Sequence, residues 1–243
     1  LGLVLCLYSL TLPACPVSKS NASTSFVDVF GLRAFSLFKK KDMAIFFVFS
    51  MLLGVSLQIT NGFANPFITS FKEIPEYANT WGAQNANALI SLSQLSETLC
   101  ILLIPIAMKF GIKRVMLLAM FAWVFRFGLF GAGNPGSGVW MFILSCIVYG
   151  VAFDFFNISG SLYVNLKTDE KIRSSAQGMF MLMTNGVGAT IGTLSAQAIV
   201  NHFVYNSANP SWSSAWYIFA GYALVVAVLF MFLFKDPGKE KTA

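Results

Sequence analysis

The feature that most constrains this chain is a succession of six long apolar runs, at 42–70, 85–108, 113–131, 138–166, 172–201 and 212–234, separated by short stretches that carry nearly all of its charge. A helix needs about 20 mostly apolar residues to cross the hydrocarbon core of a bilayer. Every run is close to that length or longer. Asp, Glu, Lys and Arg make up only 11% of the 243 residues, while 56% are hydrophobic; a water-soluble domain has roughly 25% charged residues. So few charges cannot cover a surface facing water. A soluble enzyme, a disordered chain and a secreted disulfide domain are excluded, and the expected fold class is an all-α polytopic membrane protein.

Residues 1–12 (LGLVLCLYSLTL) read as the end of a preceding transmembrane helix. Within 13–41, FVDVFGLRAFSLFKKK joins apolar residues to a basic end, the pattern of an interfacial helix. No basic n-region with a small-residue cleavage site marks a signal peptide. The expected organisation is a helix end over 1–12, a linker over 13–41, a six-helix bundle over 42–234 and a tail over 235–243. That arrangement matches the C-terminal half of a twelve-span transporter with 3+3 inverted repeats; a natural six-span protein is the alternative.

Fourteen of the sixteen basic residues fall in the linker, the second and fourth connections and the tail, among them Lys39, Lys40, Lys41, Lys113, Arg114, Lys171 and Lys235. The opposite loops carry only Lys72, beside Glu73 and Glu76. Cytoplasmic loops are enriched in Lys and Arg, so the linker and the C-terminus are expected in the cytoplasm. Topology also explains the net charge of +6, and no nucleic-acid partner is expected. Four cysteines without CxxC spacing and a single His202 suggest no metal site. No cofactor is expected.

Only Glu97, Arg126 and Asp154 among the charged residues fall well inside the runs. A charge at the bilayer centre costs on the order of 3 kcal/mol on insertion scales, so each requires a reason. Mutual pairing between helices is one. A shared polar cavity is the other, and a repeated spacing favours it: Gln58 and Asn61, Gln94 and Glu97, and Asp154 and Asn157 each stand three apart, on one face of their helix. Tyr149 and Phe153 add flat apolar surface beside the last pair. Amides, carboxylates and aromatic rings together suit a planar, hydroxylated, neutral solute. Arg126 either snorkels toward the outer interface, the reading slightly preferred, or pairs with a carboxylate. Gly188 and Gly192 form a GxxxG step, read as close helix packing with rocking as the alternative.

In FSMLLGVSLQITNGFANPF, ISLSQLSETL, YGVAFDFFNISGS and SAQGMFMLMTNG, the sequence resembles the nucleoside:proton symporter family of the major facilitator superfamily, specifically the C-terminal half of bacterial nucleoside permeases. The likeness extends over nearly the whole chain. It implies a secondary transporter that takes up nucleosides with protons across the bacterial inner membrane. It also implies a second six-helix half, and a nucleoside site formed by Gln58, Asn61, Gln94, Glu97, Tyr149, Phe153 and Asp154. Asp154 and Glu97 are the proton-coupling candidates, being the only carboxyls well inside the runs. A sugar or oligosaccharide symporter and a purely structural membrane protein are the competing readings. An intramembrane protease lacks its chemistry, since only one aspartate lies in a run and His202 lies in an outer loop.

Overall fold

The computed structural model describes residues 2–13 and 31–235, and every regular element among them is helical. A short helix, α1 (Gly2–Ser9), buries no residue. The first part of the expected interfacial segment lies outside the described residues; its second part is a 3-10 helix over Leu32–Lys39 that buries Ala34 and Leu37. Three long helices follow: α2 (Lys41–Ser70), α3 (Ala86–Ala107) and α4 (Ile112–Ala132). Next come α5 (Val139–Lys167), α6 (Glu170–Met181), α7 (Ala189–Val200) and α8 (Trp212–Leu233).

Five of these helices are long and apolar enough to cross a membrane. They expose large apolar side chains: on α3, Leu102 and Ile106 are exposed, and on α8 so is Phe232. In lipid, every backbone polar group must be satisfied within the protein, which is why long helices replace loops here.

The run at 172–201 differs from expectation. It is not one α-helix: α6 passes into a π-helical segment, Leu182–Gly188, then into α7 and a second π segment, Asn201–Tyr205. Leu182, Ala189 and Asn201 keep right-handed helical angles at the junctions, so the path is continuous but widened twice. The first π segment lies against α2 at a contact between backbones. A Cβ on Gly54 would sit 2.1 Å from the Thr184 carbonyl oxygen, one on Gly188 2.4 Å from that of Met51, and one on Gly192 2.9 Å from the Val55 Cα. Small residues allow this approach, and the packing reading of the Gly188–Gly192 step is the one the geometry supports.

The remaining helices pack as α4 on α5 and α8, α3 on α5, and α8 on α2. Ser96 on α3 donates to the Ile147 carbonyl of α5, a contact that Gly150 admits, since a Cβ there would be 2.6 Å from the Ser96 hydroxyl. Two turns depend on local chemistry. Gly111 joins α3 to α4 at φ +93, a conformation L side chains resist. Asn134 Oδ1 accepts from the Gly136 and Gly138 amides, both at 3.0 Å, shaping the turn between α4 and α5.

Aromatic clusters close both ends of the bundle. Phe67 meets Phe130, Phe142 and Trp216 with ring centroids 5.3–5.7 Å apart. At the other end Phe46 meets Tyr163 at 4.9 Å and Phe180 at 5.2 Å. The basic helix ends gather at this second end: Lys113, at the start of α4, donates to the Met231 carbonyl near the end of α8, and Tyr163 contacts Phe234.

The contact between Gly54 and the π segment predicts a position-specific cost. Overpacking a filled interior typically costs about 1–3 kcal/mol, so Gly54→Ala is expected to lower the thermal unfolding midpoint of the purified protein. Gly62→Ala, where an added Cβ meets nothing within 4 Å, is expected to leave it unchanged or raise it.

Candidate functional site

A groove of about 360 Å³ opens between α2, α3, α4 and α5. α2 contributes Thr60, Asn61 and Asn65; α3 contributes Asn87, Ser93, Gln94 and Glu97. Arg126 of α4 and Tyr149 of α5 form the deep wall. Asn87, Gln94 and Glu97 share one face of α3 because steps of three and seven residues return to nearly the same angle on a 3.6-residue helix.

Arg126 is the most deeply buried of these groups, with 1% of its surface exposed. Its Nε donates to Thr60 Oγ1 at 3.1 Å and its Nη1 to the Ser145 carbonyl at 2.8 Å. Ser145 returns a hydrogen bond to the Arg126 carbonyl at 3.0 Å. The guanidinium lies 4.4 Å from the Tyr149 ring centroid and 5.0 Å from that of Phe130. The snorkelling expected for Arg126 is therefore overturned: the side chain turns inward, where hydroxyl, carbonyl and aromatic faces replace the water it would otherwise seek. Its hydrogen bonds go to neutral groups, although Glu97 is near enough to interact with its charge.

Of the residues singled out in the sequence, the groove brings together Asn61, Gln94, Glu97 and Tyr149. Tyr149 and Glu97 line the groove together and are near enough to interact electrostatically. Phe153 is not in the lining but stacks on Tyr149, 5.8 Å between centroids and 5° between planes, so it supports that ring from behind. Asp154 is also outside the lining. It is buried, its Oδ2 has no hydrogen-bond partner, and it interacts electrostatically with Glu97. Gln58 lies on another side of α2, its Cβ 3.0 Å from where a side chain on Gly192 would begin. Asn157 donates to the Phe153 carbonyl at 2.9 Å, so its amide group is engaged by its own helix. The three amide and carboxylate pairs thus do not all meet in one cavity.

Sequence reasoning missed Thr60, Asn65, Asn87 and Ser93 as lining residues. Asn65 and Asn87 had a readable signal, since each continues a recognised face by one turn or two: Asn61 to Asn65, and Gln94 back to Asn87. Thr60 and Ser93 had none, because a hydroxyl in an apolar helix ordinarily bonds its own backbone. Ser93 Oγ here is buried without a hydrogen-bond partner.

The family model described as "Nucleoside H+ symporter" matches residues 1–239. The nucleoside permease NupG of Escherichia coli K12 is 49% identical over 237 residues, covering 97% of this chain and 56% of that protein. The xanthosine permease of the same organism is 50% identical over 245 residues, covering 99% of this chain and 58% of the permease. A crystal structure of the nucleoside transporter NupG superposes with a TM-score of 0.81 at 49% identity, over 96% of this chain and 58% of the other. A mutant of that transporter gives 0.85 at 48%. The chain spans just over half the length of these relatives. With a single family model covering nearly all of it, and an all-helical membrane bundle that superposes on a solved transporter, the chain belongs to the nucleoside H+ symporter family.

Proposed function

We propose that this chain forms the C-terminal half of a secondary transporter that takes up nucleosides with protons across the bacterial inner membrane, the other half being a second six-helix bundle. The observation that carries the reading is the groove: amides, a carboxyl and an aromatic face converge around a buried guanidinium inside a membrane bundle. A nucleoside presents ribose hydroxyls, ring carbonyls and a flat base: the hydroxyls match the carboxyl and amide oxygens, the ring carbonyls the amide N–H groups, and the base the Tyr149 face. That relatives are named for nucleosides and for xanthosine supports the substrate class. The basic residues gathered at the ends of α3, α5 and α8 support a cytoplasmic linker and C-terminus.

In this reading Asn61, Gln94 and Glu97 hydrogen-bond the ribose and base, and Tyr149, backed by Phe153, supplies the stacking surface. Gln58 acts from the α7 side of α2, and Asp154 acts behind Tyr149. Proton entry onto Glu97 or Asp154 sets the donor pattern that binds nucleoside; proton loss toward the cytoplasm withdraws a donor and releases it. The hydrogen bonds of Arg126 to neutral groups support leaving both carboxyls open to proton exchange. Proton-gradient-driven uptake of labelled uridine by the complete permease tests the reading, and uptake of lactose without uridine rejects it.

Two variants of the complete permease separate the site residues. Removing one partner of a buried hydrogen bond typically costs about 1–3 kcal/mol, so Gln94→Ala is expected to weaken uridine binding in calorimetry by roughly tenfold or more. Gln58→Ala, outside the groove lining, is expected to weaken it less. Equal losses would return Gln58 to direct contact.

Proton coupling makes a second demand. Glu97→Gln and Asp154→Asn each remove a titrating proton while keeping shape, so at least one is expected to abolish uphill accumulation of uridine while retaining gradient-independent exchange. Undiminished accumulation in both variants would place coupling in the other half.

A further inference from the structure

The groove does not end at Asn65 and Asn87. Beyond them, at the end of the bundle away from the clustered basic helix ends, lies a second polar cavity of about 380 Å³, also lined by Thr69, Lys72, Gln84 and Asn85. Asn65 and Asn87 border both cavities. They are joined across α2 and α3 by a hydrogen bond from Asn65 Nδ2 to Asn87 Oδ1 at 2.5 Å, and Thr69 donates to Asn65 Oδ1 at 3.2 Å. This exposed amide bridge lies where the two spaces meet.

The polar groups around the outer cavity are oriented by their other bonds. Gln84 Nε2 donates to the Ala78 carbonyl at 2.6 Å and Asn85 Nδ2 to the Trp81 carbonyl at 3.0 Å. Both nitrogens are thus held by the loop, and both side-chain oxygens remain acceptors for hydroxyl groups. Donors are present in the same lining: Lys72, which is exposed, and the first-turn residues Ala86, Asn87 and Ala88 of α3, whose helix start receives no side-chain cap from Asn85. No acidic residue lines this cavity, so nothing recruits a cation. Acceptors for hydroxyls beside donors for carbonyls fit a polyhydroxylated, carbonyl-bearing neutral solute.

We propose that the outer cavity is a second nucleoside subsite, occupied from the outer face before the Asn65–Asn87 bridge opens and admits the solute to the groove. The proposal rests on the nucleoside reading above and deepens it. Breaking the bridge frees Asn65 Nδ2 and Asn87 Oδ1, one donor and one acceptor, which the passing ribose can engage in turn. The bridge is therefore exchanged for solute contacts rather than simply lost.

Substrate protection of a reporter thiol tests this in the complete permease. Ala88, an exposed lining residue of the outer cavity, is replaced in an Ala88→Cys variant that also carries Gln94→Ala to weaken the groove. Modification by a membrane-impermeant maleimide is followed by mass spectrometry of the peptide bearing position 88. Uridine is expected to slow modification along a saturable curve, by about tenfold at ten times its half-saturating concentration, as occupancy requires. Adding Lys72→Ala is expected to weaken that protection, while sucrose gives none. Protection that requires an intact Gln94, protection indifferent to Lys72→Ala, equal protection by sucrose, or no protection at all overturns the subsite. Uridine uptake by the otherwise unmodified permease, measured alongside, judges the nucleoside reading separately.

Discussion

A guanidinium inside a bundle solvated by hydrocarbon must find acceptors within the protein, and the placement of α2, α4 and α5 follows from how Arg126 finds them. Thr60 supplies a hydroxyl from α2 and Ser145 a carbonyl from α5, while Tyr149 and Phe130 offer ring faces. Cation–π contacts strengthen when desolvated, reaching about 2 kcal/mol or more. A buried charge is costly unless fully partnered, so these helices cannot shift independently without leaving it exposed to apolar surroundings. The same residue forms the deep wall of the groove, so the group that ties the helices together also sets the electrostatics of the site.

Around that fixed point the bundle has two kinds of interface. The α3–α4–α5–α8 side is joined by aromatic packing and by side-chain hydrogen bonds to backbone carbonyls, such as Ser96 to Ile147 and Ser213 to Gly131. The α2 face toward α7 is joined instead by glycines that bring backbones into contact, next to a helix widened into π geometry. A π segment leaves backbone carbonyls less regularly paired and is frequent at functional positions. Tyr222 on α8 bridges the two sides by donating to the Leu52 carbonyl at 2.7 Å.

The polar interior forms a gradient along α2 and α3. Asn65 and Asn87 lie nearest the end away from the clustered basic helix ends, Asn61 and Gln94 follow, and Glu97 comes next, facing Tyr149 and Arg126. Amides, able to donate and accept, thus precede ionisable groups along the groove. Asp154 stands apart as a buried carboxyl outside the groove lining, related to it through its field on Glu97.

The sequence by itself determined the solvent and the helices. The apolar runs and sparse charge require a bilayer, and the runs correspond to α2, α3, α4, α5 and α8 within a residue or two at each end, because span length follows from membrane thickness. Periodicity along single helices also exposed Asn61, Gln94 and Glu97, whose shared faces are a property of the 3.6-residue repeat. Only the tertiary structure decided which faces meet. Gln58 shares a helix with Asn61 yet borders α7, Asp154 follows Phe153 yet lies outside the groove, and Arg126 turns inward because Thr60 and Ser145, 66 and 19 residues away, wait for it. The first π segment was equally invisible, lying where Gly54 and Gly188 bring two backbones together. Contacts between distant helices are chosen by the packing of the whole bundle, and one helix's periodicity holds no record of its neighbour.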